Sequence, residues 1–221
     1  MPDLSASFDW FAQPPEERSP AAGAVIKEQL LQIWEEVRSR IGPDDFDAVL
    51  GDLWAGKRSS RVDGAWVQTN RERDHNFVNM TIEMDPDALS LNVVGWFDNQ
   101  LQKVEAWLRQ PRAWRFLNDM PDWLLVIFIR HANIAKDGKA VFQGATGLEL
   151  ERLAFSETSA ANLSTRLTAI RPRLDSEREK ISLHLRRPWT AAECAAIDDI
   201  AAAIAPEVER WLQPIQEIRV A

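Results

Sequence analysis

One cysteine, no tyrosine and no apolar run beyond the seven residues Trp123 to Ile129 set the first limits on this 221-residue chain. A lone Cys194 cannot close an intramolecular disulfide, which argues against the stapled scaffolds of small secreted domains. Seven apolar residues fall far short of the ~20 that cross a bilayer as a helix. The start, Met1-Pro2-Asp3-Leu4-Ser5, has neither the basic residues nor the apolar stretch of a secretory signal. These absences predict a cytoplasmic protein without a membrane partner.

Catalytic signatures are missing as well. His75, His131 and His184 are far apart, and none forms a pair at the spacing that binds zinc from one helix. There is no G-x-S-x-G nucleophile elbow. Gly144-Ala145-Thr146-Gly147 lacks the spacing and the lysine of a phosphate-binding loop. No metal site and no cofactor is evident, and Cys194 sits in an Ala-rich stretch where a small buried thiol is the ordinary reading.

What is present suits a packed globular core: 45% of residues are hydrophobic and 27% charged, which disfavours disorder. A net charge of −8 disfavours a chain-wide nucleic-acid surface, because phosphates repel an acidic protein. The charge is segregated, however. Met1 to Trp54 holds eleven acidic and four basic residues. Arg166 to Arg187 holds seven basic residues against Asp175, Glu177 and Glu179, and Lys57 to Arg73 is a smaller basic segment. Ten tryptophans are scattered without a repeat period. Each carries a large apolar body and one N–H donor, which suits either core packing or an aromatic interface.

Along the chain, Pro14-Pro15, Pro20 and Gly23 mark residues 1–23 as an extended leader. The aromatic knot of Phe8, Trp10 and Phe11 would pin it to the domain or dock a partner. Ile26, Leu30, Ile33, Trp34, Val37 and Ile41 form one helical stripe that Gly42-Pro43 ends. The period then drops to two. Strands are expected over Val62–Thr69, Asn76–Met84 and Leu89–Val93, a meander. Further strands are expected at Trp123–Ile129, apolar on both faces, at Leu148–Phe155 and at Ile181–Leu185.

Helices are expected from Asp98 to Leu108, from Pro111 to Leu117, and from Leu163 until Pro172 ends that element. Thr190-Ala191-Ala192-Glu193 reads as a capping box. The helix behind it would run to Ala205, with Pro206 opening another. The expected class is α+β: about six strands in a mainly antiparallel sheet, helices packed on it, and two C-terminal helices. No interior linker divides residues 24–221, so one domain is expected after the leader.

Two groups of residues offer chemistry. Asp122, Asp137 and Lys139 satisfy, as a string, the P-D…(D/E)-x-K pattern, which resembles that of a large nuclease superfamily. There, two carboxylates hold a divalent metal and the lysine steadies the attacking water. The departure is Gly138, in a turn signal where the family has an apolar strand residue. The other group is His184, Arg186 and Arg187, in which guanidinium forks beside an imidazole suit a carboxylate or phosphate.

No motif assigns a function outright. By elimination, the leading expectation is a non-catalytic accessory protein that binds another protein or itself, with Phe8, Trp10 and Phe11 as docking candidates. The alternatives are a metal-dependent phosphodiester hydrolase and a domain that binds a small acidic or apolar ligand.

Overall fold

The stripe on the first long helix governs the first half of the fold. In the computed structural model, which describes residues 4–54, 65–70, 78–95, 98–136 and 138–221, the helix α2 runs over Pro20–Ile41. Its Ile26, Leu30, Ile33, Trp34 and Val37 are all at most 2% exposed. Proline suits the first helical position, where its missing N–H costs no bond, and Gly42, at φ +106°, ends the element where a side chain would be strained. A shorter helix, α3 (Pro43–Leu50), follows and buries Phe46, Val49 and Leu50.

The leader is not extended. Ser5–Ala12 forms a helix, α1, and Pro15–Glu17 a 3-10 turn. Pro14-Pro15 separates α1 from α2 without preventing either, because neither proline lies inside a helix that needs its N–H. Ser7 Oγ donates to Gln29 Oε1 at 2.7 Å across the two helices. Arg18 donates to the carbonyls of Gln13 at 2.9 Å and Phe11 at 2.7 Å. Its guanidinium also lies over the Trp10 and Phe11 rings, about 5.5 and 5.7 Å from their centroids.

Among the described residues, seven strands form one antiparallel sheet. They are β1 (Asp52–Trp54), β2 (Ala65–Asn70), β3 (Asn79–Met84), β4 (Ala88–Gly95), β5 (Leu124–Ile134), β6 (Ala140–Ala154) and β7 (Glu179–Thr190). Their order is β1-β2-β3-β4-β7-β5-β6. The six expected strands are all present. The seventh, β1, is a three-residue edge strand, too short to show a period. Gly138, at φ +81°, sits between β5 and β6 in the left-handed region that a tight turn demands.

The remaining helices are α4 (Asp98–Leu108), α5 (Pro111–Asn118), α6 (Ala160–Ile170), α7 (Ala191–Ala196) and α8 (Ile200–Val220). Pro172 does end α6, in a 3-10 turn at Arg171–Arg173. The capping box is complete: Thr190 Oγ1 accepts from the Glu193 amide, and Glu193 Oε2 accepts from the Thr190 amide at 2.7 Å.

The last two helices meet elsewhere than expected. α7 stops at Ala196, and Asp199 Oδ1 accepts from the Ala202 amide at 2.9 Å to start α8. That helix passes through Pro206 and Pro214 unbroken. The strain of an interior proline is about 3 kcal/mol. It is outweighed by a stripe of Ile200, Ile204, Val208, Trp211, Ile215 and Ile218, all at most 4% exposed. No described helix is long and apolar enough to cross a membrane.

The chain groups into two compact units, one of residues 1–93 and 187–216, the other of 94–186 and 217–221. The boundaries fall inside β4, β7 and α8, which is why no Gly- or Pro-rich linker marks them. In the first unit, α2 packs on β2, β3 and α3, and Trp34 Nε1 donates to Val67 O at 3.0 Å. In the second, α4 packs with α5, and Trp114 meets Phe155 edge-on with centroids 6.2 Å apart.

Candidate functional site

The alternation along β7 positions the site, which lies within the second unit. Ile181, Leu183 and Leu185 take one face. Ser182, His184 and Arg186 take the other, yet they are buried too, with His184 3% and Arg186 7% exposed. The register with β5 sets Leu124 opposite Arg186, Val126 opposite His184, Phe128 opposite Ser182 and Arg130 opposite Lys180. Residues opposite one another in an antiparallel ladder share a face. Arg130, itself 3% exposed, therefore joins His184 and Arg186.

Burial sets the protonation of this cluster. It pushes His184 down to about 3, and the positive charges of Arg186 and Arg130 push the same way. His184 is thus neutral at neutral pH, able to donate from one ring nitrogen and accept at the other. Its ring lies 4.5 Å from that of Phe128, tilted by 43°. Burial also lowers Arg130 to about 10, with Asp98 acting in the opposite direction. Arg130 remains a cation at neutral pH. Asp98 also accepts from Lys180 Nζ at 2.5 Å.

Two buried guanidinium groups and a neutral imidazole on neighbouring strands form a donor-rich surface. Arginine presents five N–H donors in a planar fork that matches carboxylate and phosphate oxygens in pairs. Ser182 Oγ, fully buried on the same face, has no hydrogen-bond partner among the described residues. The arrangement can hold an oxyanion.

The other candidates lie elsewhere. Arg187 is not brought to this face, since successive strand residues point oppositely. It stacks on Trp189 at 4.7 Å and donates to Pro188 O. Elsewhere in the basic run, Arg166 is tied to Glu151 at 2.5 Å and Arg171 to the buried Glu105. His131 is exposed, with Nδ1 3.1 Å from Glu179 Oε1. Trp10 and Phe11 are buried and Phe8 is half-buried, so the aromatic knot belongs to the first unit's packing.

Asp122 and Lys139 are exposed and flank the opposite ends of β5. An eleven-residue strand extends about 36 Å at ~3.3 Å per residue, so the fold does not bring this pair together. Asp137 lies outside the described residues, as do His75, Trp96 and most of the Lys57–Arg73 segment. Among the described residues, no three His, Cys, Asp or Glu side chains gather into a group that could hold a metal ion.

Arg130 was not among the residues singled out from sequence. Its signal is the period of two continuing past the apolar run: Leu124, Val126, Phe128, Arg130. Fold and cluster together define an α+β protein whose central strands bury a cationic, hydrogen-bonding face. No protein-family model matches the chain, and no curated protein matches it.

Proposed function

We propose that the protein is a non-catalytic, cytoplasmic binder of a small oxyanion, a phosphate or carboxylate, held by Arg130, His184 and Arg186. The observation that carries this reading is the burial of two guanidinium groups and an imidazole on one face of two hydrogen-bonded strands. Arg186 and Arg130 both act electrostatically on the His184 imidazole, so an anion beside His184 would meet positive potential from both. A fixed fork at low dielectric then gives that anion strong, directional bonds.

Calorimetric titration with inorganic phosphate, sulfate and citrate tests it. At least one should bind saturably to the wild type, and Arg186→Met and Arg130→Met should each weaken it tenfold or more. Equal affinity in the wild type and both variants, or no binding at millimolar concentration, would refute the reading.

One observation favours a protein partner as a second reading. Strand β6 ends the sheet order, and Leu148 and Leu150 on it are 60% and 42% exposed. A long edge strand bearing exposed leucines is a site for pairing with another chain. Light scattering should show an assembly that Leu148→Lys dissociates. A monomer at all concentrations removes self-association.

A further inference from the structure

The first unit carries a different polar face. β3 and β4 are joined by a tight turn in which the Asp85 amide donates to Ala88 O at 3.0 Å. Counting back from that closing pair sets Glu83 opposite Ser90 and Thr81 opposite Asn92. β2 extends both rows, with Trp66 opposite Glu83 and Gln68 opposite Thr81. Val67, Ile82 and Leu91 occupy the opposite, apolar face and are fully buried. A sheet whose second face met water would leave the polar rows exposed. Instead Ser90, Asn92 and Thr81 are at most 4% exposed.

Three polar atoms in these rows have no hydrogen-bond partner among the described residues: Asn92 Oδ1, Asn92 Nδ2 and Thr81 Oγ1. Folded proteins rarely leave a buried carboxamide with both ends unmet, because it forfeits its bonds to water and gains none. A carboxamide places a donor and an acceptor side by side in one plane. Its complement is a planar edge with the same pair reversed, the match that lets asparagine recognise adenine bidentately. Trp66, half-buried on the same face one row away, offers a flat apolar surface for a ring to stack on.

We propose that Asn92 and Thr81 bind a planar group bearing an adjacent donor and acceptor, the edge that nucleobases and carboxamides share. Asn92 supplies the paired bonds, Thr81 a third, and Trp66 a stacking face. The proposal uses no residue of the oxyanion cluster and stands whether or not that cluster binds an anion.

Calorimetric titration of the full chain with adenosine, uridine and nicotinamide tests it. Saturable binding of a nucleoside identifies a base as the source of the edge, and binding of nicotinamide alone identifies a carboxamide. In either case Asn92→Leu, nearly the same shape, should weaken binding by about ten- to a hundredfold, the cost of losing a bidentate pair. Thr81→Val should weaken it by a smaller factor, and it supplies the same readout should Asn92→Leu not fold. The proposal is overturned if none of the three compounds binds at millimolar concentration, or if the folded variants bind as tightly as the wild type. A crystal structure grown with the tightest binder, in which Asn92 bonds only to ordered water, overturns it too.

Discussion

The neutral, buried His184 makes stability depend on pH in a direction and amount that follow from its surroundings. Unfolded, the imidazole titrates near its ordinary value of 6.5. Folded, it stays neutral down to about 3 because burial, Arg186 and Arg130 all disfavour the cation. Between these values the unfolded chain binds a proton that the folded chain refuses. Stability therefore rises with pH across this window and is lost as pH falls through it. Each pH unit well inside the window is worth about 1.4 kcal/mol. Lowering pH from 7 to 5 should cost about 2 kcal/mol through this one group.

Carboxylates titrate over the lower part of the same range, so the measurement is a difference. Urea unfolding at pH 7 and pH 5, on wild type and His184→Leu, isolates the imidazole, since the variant keeps every other titrating group. Urea leaves charge interactions unscreened, unlike guanidinium chloride. With an m-value of about 2 kcal/mol/M, the wild-type midpoint should fall by about 1 M more than the variant's. A bound oxyanion beside His184 would favour the imidazolium, so added phosphate should shrink that difference. The His184 ring proton resonances should also hold their positions from pH 7 to pH 5. Parallel pH dependence in wild type and variant, with those resonances moving near pH 6.5, would refute the burial argument.

Other expectations rest on single contacts. Trp34 is fully buried, meets Phe46 edge-on at 5.7 Å and donates to Val67 O, so Trp34→Ala should destabilise by about 3–5 kcal/mol in the same urea assay. Thr190→Ala removes the cap of α7 and should cost about 1 kcal/mol. Burial raises the Cys194 thiol to about 11. Its reaction with a disulfide reagent at pH 7.5 should be about a hundredfold slower than that of a free thiol, and should reach the free rate in urea.

Elements whose cause is local were legible in the sequence. The α2 stripe, the alternation of Met80, Ile82 and Met84, and the Thr190 capping box each depend on residues within one or two turns of one another. The misreadings have a common origin in longer-range packing. Pro206 marks a boundary by local rules, and only the buried stripe from Ile200 to Ile218 overrides it. The knot at Trp10 and Phe11 is too short to announce a helix, and it becomes one because α2 and Arg18 hold it. At the site, the shared face of His184 and Arg186 was visible from β7 alone. Arg130 was not, because the register joining Arg130 to Lys180 links strands some fifty residues apart.

The two polar faces illustrate what alternation means in a sheet covered on both sides. In a sheet with one wet face, a serine, asparagine or arginine at every second position is the solvent side and needs no further account. Ser90, Asn92, Ser182, His184 and Arg186 sit at such positions yet are at most 7% exposed. A core built for stability alone would fill them with valine or leucine, which bury without desolvation cost. Retaining polar groups there lowers stability, and a bound ligand restores it in proportion to its affinity. The substitution that removes the paired bonds, Asn92→Leu, should for that reason leave the unliganded protein no less stable than the wild type. A loss of several kcal/mol, measured by urea unfolding without added ligand, would show that this polar row serves the fold and not a ligand.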